Sequence, residues 1–251
     1  MPDARFPTVT VLDHGPPDRC FDVVVLADGF AAHELGAFAA GVQAFVAELL
    51  ATEPFGLLRA LVSVHRVDVV GPPTSTLDGR LLTVDEDAAL RLARQHVPHA
   101  DAVLVLANRE EYGGSAGTVA CLTRHPWGAA LAVHELGHAA FDLADEYGHE
   151  GRHPGPEPVR VNVTLEPDPA RTSWADLPEA GCVEGGDRYA SGVYRAQERC
   201  RMRNLADPFC VVCAREIRRI LLRHGRGGRR SAYADISPSP KRVVGDTFDE
   251  A

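Results

Sequence analysis

Residues 127–147 read WGAALAVHELGHAAFDLADEY, and the rest of the chain is best read outward from this stretch. Trp127 to Phe141 is rich in Ala and Leu and reads as one helix. On a helix, residues four apart lie one turn above each other on one face. His134 and His138 therefore project side by side and can bind one metal ion together. Glu135 follows the first histidine and is placed to take a proton from a water on that metal. Two imidazoles with acids nearby suit a single catalytic zinc ion, Zn2+. Two surface histidines on an ordinary helix would carry the same letters. The apolar neighbours Ala129 to Val133 and Ala139 to Phe141 argue against that, because burying His-Glu-His without a metal or partners is costly. A catalytic zinc keeps three protein ligands, and Asp142, Asp145 and Glu146 follow the second histidine. Asp142 would serve only if the helix continued. Asp145 and Glu146 lie where the chain leaves the helix, and spacing alone does not separate them.

Upstream of the motif, strands and helices alternate. Phe21 to Ala27 (FDVVVLA) and Ala102 to Ala107 (AVLVLA) are short apolar runs of buried-strand type. Leu61 to Val70 reads as another strand and Thr118 to Leu122 as a short fourth. Ala31 to Ala51 has helical periodicity through Leu35, Phe38, Val42, Phe45, Val46 and Leu49. Val84 to Gln95 is a second helix, with Asp85, Glu86 and Asp87 at its start, where the helix dipole favours acids. Gly71 to Gly79 and Gly113 to Gly117 read as loops. The order predicts an α/β fold with a twisted, mostly parallel sheet and flanking helices. After Tyr147 the pattern breaks, and little regular structure is legible before a closing helix over Phe209 to Arg223. We divide the chain into an N-terminal extension (1–20), a catalytic domain (21–224, with an upper half 21–141 and a lower half 142–224) and a disordered tail (225–251).

The net charge is −9, so the chain is unsuited to nucleic acid. No apolar run approaches the ~20 residues that span a bilayer, and no membrane partner is expected. No leader is legible in residues 1–20, so the expected compartment is the cytoplasm. Of six cysteines, Cys182, Cys200, Cys210 and Cys213 cluster within one region. One or two disulfides are expected there, ahead of free thiols, with a structural zinc last because only Cys210-x-x-Cys213 is a close pair. A monomer is the expected state.

HELGHAAFDLADEY resembles the active-site signature of the IgA-peptidase-type metallopeptidases, the igalysins, a branch of the metzincin clan. Several other segments resemble the same family. They are VVVLADGF (23–30), ATEPF (51–55), Tyr112-Gly113-Gly114, Gly192-Val193-Tyr194-Arg195, Cys200-Arg201-Met202-Arg203 and FCVVC (209–213). Together they cover roughly Phe21 to Leu222. The resemblance implies a metzincin-like zincin domain above an irregular lower subdomain. It implies Asp145 as third zinc ligand and Met202 as the methionine of a structural Met-turn beneath the metal. Two departures stand out: Asp142 occupies a position where the family has Gly, and the Pro72 to Gly79 segment is short.

The expected function is therefore hydrolysis of peptide bonds by a zinc metallopeptidase, an endopeptidase in the favoured form, with Glu135 as base and then proton donor. The competing readings are zinc amidohydrolysis of a small non-peptide amide and a non-catalytic binding protein with a vestigial site. Lesser candidates are Cys121 as an inhibitory thiolate, Tyr147 and Tyr194 as oxyanion donors, and Arg203 as a brace. For Cys121, Tyr147 and Tyr194, ordinary packing is the favoured reading, and His149 and His153 read as solvated loop histidines. The strand after Gly113 to Gly117 could take an extended peptide by strand addition, an ordinary loop being as good a reading of the turn.

Overall fold

The structure is a computed structural model that describes residues 6–227, apart from 157 and 159. Eight strands build the main sheet: Thr8–Leu12 (β1), Phe21–Asp28 (β2), Val62–Val67 (β3), Thr76–Asp78 (β4), Leu81–Thr83 (β5), Ala102–Ala107 (β6), Gly114–Ala116 (β7) and Val119–Thr123 (β8). Their order across the sheet is β1-β3-β2-β6-β8-β7-β5-β4. The centre, β3-β2-β6-β8, is parallel, whereas β1 and β7 run antiparallel to their neighbours β3 and β8. Every residue of β2, β6 and β8 is buried. Both faces of these strands are covered, which is why they read as unbroken apolar runs and not as alternation.

The helices are Leu35–Ala51 (α1), Glu86–His96 (α2), Gly128–Phe141 (α3) and Val211–Gly225 (α4). Val23, Val25, Leu104, Leu106, Ala120 and Leu122 point to one face of the sheet and pack with α1, α3 and α4. Val24, Leu26, Val103, Val105 and Cys121 point to the other face and meet Leu90, Ala93 and Val97 at α2. Side chains two apart along each strand thus sort into two cores. Cys121 belongs to the face away from α3, which leaves it a packing residue.

Several expectations need correction. The stretch read as an extension holds a strand at Thr8–Leu12, because β1 pairs with β3 and closes that side of the sheet. Its TVTVL alternation is the strand signal, and exposure of its first three residues marks it as an edge. By length and hydropathy, Ala32–Ala51 would suffice to cross a membrane. Its stripe of Phe38, Val42, Phe45, Val46 and Leu49 is instead buried against the sheet. The Gly71 to Gly79 loop contains β4, and Asp28 anchors it by accepting from the backbone N–H and hydroxyl of both Thr74 and Ser75 (2.6–3.2 Å). The lower half is not irregular throughout. Gly148–Arg152 (β9), Val163–Thr164 (β10), Val183–Gly186 (β11) and Arg188–Arg195 (β12) form a second sheet centred on β12. Its glycines and charged residues hide the alternation that would have revealed it. The tail from residue 228 onward lies outside the described residues.

Gly113 to Gly117 does not present an open edge. Gly114–Ala116 is buried between β8 and β5. A Cβ on Gly114 would lie 2.6 Å from Leu131 Cδ2 and 3.0 Å from Glu135 Oε1, so glycine lets this strand press against the motif helix. Leu131 is fully buried and has no room to yield. Gly114→Ala is expected to cost about 1–3 kcal/mol by overpacking and to shift the Glu135 carboxylate. A lowered urea midpoint together with lowered activity would bear this out; unchanged values for both would refute it.

Candidate metal centre

α3 ends because Asp142 takes a left-handed conformation (φ 55°, ψ 37°), its N–H capping the Gly137 carbonyl. Glycine takes that conformation freely, and among other residues Asp is one of the more tolerant. The Asp142 carboxylate then pairs with Arg160 at the surface, so Asp142 is a helix stop and not a ligand. The chain doubles back, and the Leu143 carbonyl returns to accept from His138 Nδ1 at 2.7 Å. The Arg201 carbonyl accepts from His134 Nδ1 at 2.9 Å. A carbonyl can only accept, so both rings carry their proton on Nδ1 and turn an Nε2 lone pair inward.

Those lone pairs meet one carboxylate. His134 Nε2 and His138 Nε2 are 3.1 Å apart, and Asp145 Oδ1 lies 3.1 Å from His138 Nε2 and 3.4 Å from His134 Nε2. Three acceptor atoms at such spacing repel one another unless a cation sits among them. Tetrahedral zinc with bonds of about 2.0–2.1 Å sets its ligand atoms about 3.3 Å apart, which is the spacing of this triangle. The donor set fits zinc, and the carbonyl partners on both Nδ1 atoms are the outer-shell contacts that orient histidine ligands.

Glu146, the other candidate, faces away. Its Oε1 accepts from Asn162 Nδ2 at 3.1 Å and lies 3.1 Å from Cys213 Sγ. The two neighbouring carboxylates thus belong to different clusters. Asn162 is fully buried and clamps the segment between them: it accepts from the Ala144 N–H and donates to the Ala144 carbonyl, at 2.8 and 2.9 Å. Asn162 carries no signal in the sequence, because a lone Asn does not show which distant backbone groups it will meet.

Met202 is fully buried under α3; a Cβ on Gly137 would come within 2.8 Å of its sulfur. Its carbonyl accepts from the Glu146 N–H at 2.7 Å. The brace of this turn is Arg201 and not Arg203. Arg201 is buried and reaches Glu48 Oε1 of α1 (2.7 Å) and the Asp207 carbonyl (2.9 Å), whereas Arg203 contacts the Glu198 carbonyl at the surface. Glu135 is 1% exposed. Tyr147 is buried and stacks on His149, while Tyr194 lies half-buried on β12. His153 sits edge-on to Tyr189. A polar cavity of about 630 Å³ opens elsewhere, lined by Asn108 to Glu111 and Arg124, with no member of the triad in its wall.

The family model of the IgA peptidase M64 family matches residues 56–183, just over half of the chain. The chain belongs to the IgA peptidase M64 family. A search of curated proteins gave no match. As an M64 peptidase, the chain acts on peptides or proteins, and the metal such an enzyme calls for has a candidate home in His134, His138 and Asp145. The matched segment of this M64 peptidase holds those three residues and Glu135, but ends before Met202 and the cysteines of α4. All six cysteines are free thiols, which corrects the expected disulfides. Cys182 stands apart, 3.5 Å from the Glu166 carbonyl, and Glu146 takes the place it was expected to fill beside Cys200, Cys210 and Cys213.

Proposed function

We propose that this M64 peptidase is a zinc metalloendopeptidase of metzincin type, with His134, His138 and Asp145 as zinc ligands, Glu135 as general base and Met202 as the Met-turn residue. One observation carries the reading: two inward Nε2 lone pairs and one carboxylate oxygen converge within 3.1–3.4 Å. His134, His138 and Asp145 would hold the zinc ion, which would supply Lewis acidity to the scissile carbonyl and the attacking water. Glu135, one residue from the first ligand, takes the proton of the attacking water and then gives it to the leaving amine. The Arg201 and Leu143 carbonyls keep both histidines in the tautomer that presents Nε2. Family membership favours a peptide over a small amide, and the presence of Glu135 argues against a vestigial site. No specificity for IgA is carried over, since substrate choice resides in loops.

The test is metal removal on a peptide library. Chelation is expected to abolish cleavage, and one equivalent of zinc restored to the His134–His138–Asp145 site to recover it. Cleavage that survives complete chelation would sink the proposal.

A further inference from the structure

Asp145 and Glu146 are neighbours in sequence, yet Glu146 belongs to a different cluster. Glu146, Cys200, Cys210 and Cys213 are all buried, and their ligand atoms lie within 4.8 Å of one another. Cys200 Sγ and Cys213 Sγ are 3.7 Å apart; Glu146 Oε1 is 3.1 Å from Cys213 Sγ and 3.4 Å from Cys210 Sγ. We infer that these four residues form a second, structural zinc site of Cys3Glu type, separate from the peptidase centre.

The spacing matches that ion. Zinc–sulfur bonds of about 2.3 Å and zinc–oxygen bonds of about 2.0–2.2 Å give tetrahedral S···S edges of about 3.8 Å and S···O edges of about 3.5 Å. A disulfide does not match, since its sulfurs would be about 2.05 Å apart and it would strand the third thiol and the carboxylate. Two of the sulfurs are also prepared as acceptors. The Met202 and Cys210 N–H groups point at Cys200 Sγ (3.4 and 3.3 Å), and the Cys213 N–H at Cys210 Sγ (3.5 Å). Cys210 is the N-cap of α4 and Cys213 lies in its first turn, so both sulfurs sit together at the start of that helix. A second, independent sign is Glu146 Oε2, which is buried and has no hydrogen-bond partner. Thiols are weak donors and cannot satisfy such a carboxylate, whereas a cation can. Zinc binding displaces the thiol protons to solvent, so affinity rises with pH.

The site would tie three segments together: the chain leaving α3, the 200–203 turn and the start of α4. That turn supplies the carbonyl that orients His134, and Glu146 directly follows Asp145. The second ion would thus hold the peptidase centre in shape without touching the substrate.

The test uses the full chain with His134→Ala and His138→Ala, which removes the first site and makes the result independent of the proposed catalytic metal. One equivalent of zinc is expected to remain. Cobalt put in its place should show strong sulfur-to-metal charge-transfer absorption in the near ultraviolet. Adding Cys200→Ser and Cys213→Ser should abolish both. If those last variants do not fold, the cobalt spectrum of the histidine variant decides alone. Zinc well below one equivalent, a cobalt spectrum without sulfur ligation, or a Cys200–Cys213 disulfide found by mass after alkylation would each overturn the inference. Wild type holding one sulfur-ligated equivalent instead of two would leave this site standing and count against the catalytic one.

Discussion

Glu135→Gln is expected to lower kcat for peptide cleavage by about 10²–10⁴-fold while zinc content stays the same. The amide has the shape of the carboxylate but cannot take a proton from water. The proposed metal ligands are untouched, since His134 is oriented by the Arg201 carbonyl and His138 by the Leu143 carbonyl, and neither bond involves Glu135. At about 1.4 kcal/mol per tenfold, the loss corresponds to about 3–6 kcal/mol of transition-state stabilisation. KM should change far less, because the proton is moved only as the reaction proceeds. The readout is kcat and KM on one cleavable peptide beside zinc analysis of the same sample. A variant that keeps its zinc and loses less than tenfold in kcat would falsify the role of Glu135. Loss of zinc would instead reveal a part in holding the metal.

Asn162→Ala should be the most damaging single change outside the ligands and Glu135. Its side chain makes three buried hydrogen bonds: to both backbone groups of Ala144 and to Glu146 Oε1. Truncation leaves the Ala144 N–H and C=O buried without partners, and each such group costs about 1–3 kcal/mol. The expected destabilisation is about 2–4 kcal/mol, allowing for some relaxation or water entry. Because Ala144 precedes Asp145, the proposed third ligand loses its support as well, so metal affinity should fall with stability. Asn162→Asp is the informative companion. It preserves volume and still accepts from the Ala144 N–H, but it cannot donate and sets a second carboxylate beside Glu146. It should therefore fare no better than Ala. Thermal unfolding and zinc titration of both variants test this, and an Asp variant as stable as wild type would show that the clamp is not a donor to Ala144 and Glu146.

Where burial imposes a period on the chain, the sequence was legible. FDVVVLA and AVLVLA are buried on both faces and could only be central strands. α3 was readable because a 14-residue helix with ten buried residues needs apolar company for its polar triplet. The four-residue step between His134 and His138 is itself helix geometry, so it already contains their shared face. The second sheet was hidden because its strands are mostly half-exposed and interrupted by glycine. β1 was hidden because five residues of alternation mean little until β3 offers a partner.

The sequence by itself determined the α/β order, the motif helix, the pair of histidines and the adjacent Glu135, since all of these depend on local periodicity. Family resemblance named Asp145, but no local rule ranks it above Glu146. That choice was made by contacts distant along the chain: Asn162 from 16 residues away and Cys213 from 67, both on Glu146, and the Arg201 carbonyl on His134. The same holds for the cysteines, whose spacing suggested a disulfide until the fold put Glu146 among three of them and Cys182 elsewhere. Periodicity is a property of neighbours and can be read along a chain. Which acid meets which partner depends on where the 200–213 segment packs against the end of α3, and only the tertiary structure sets that.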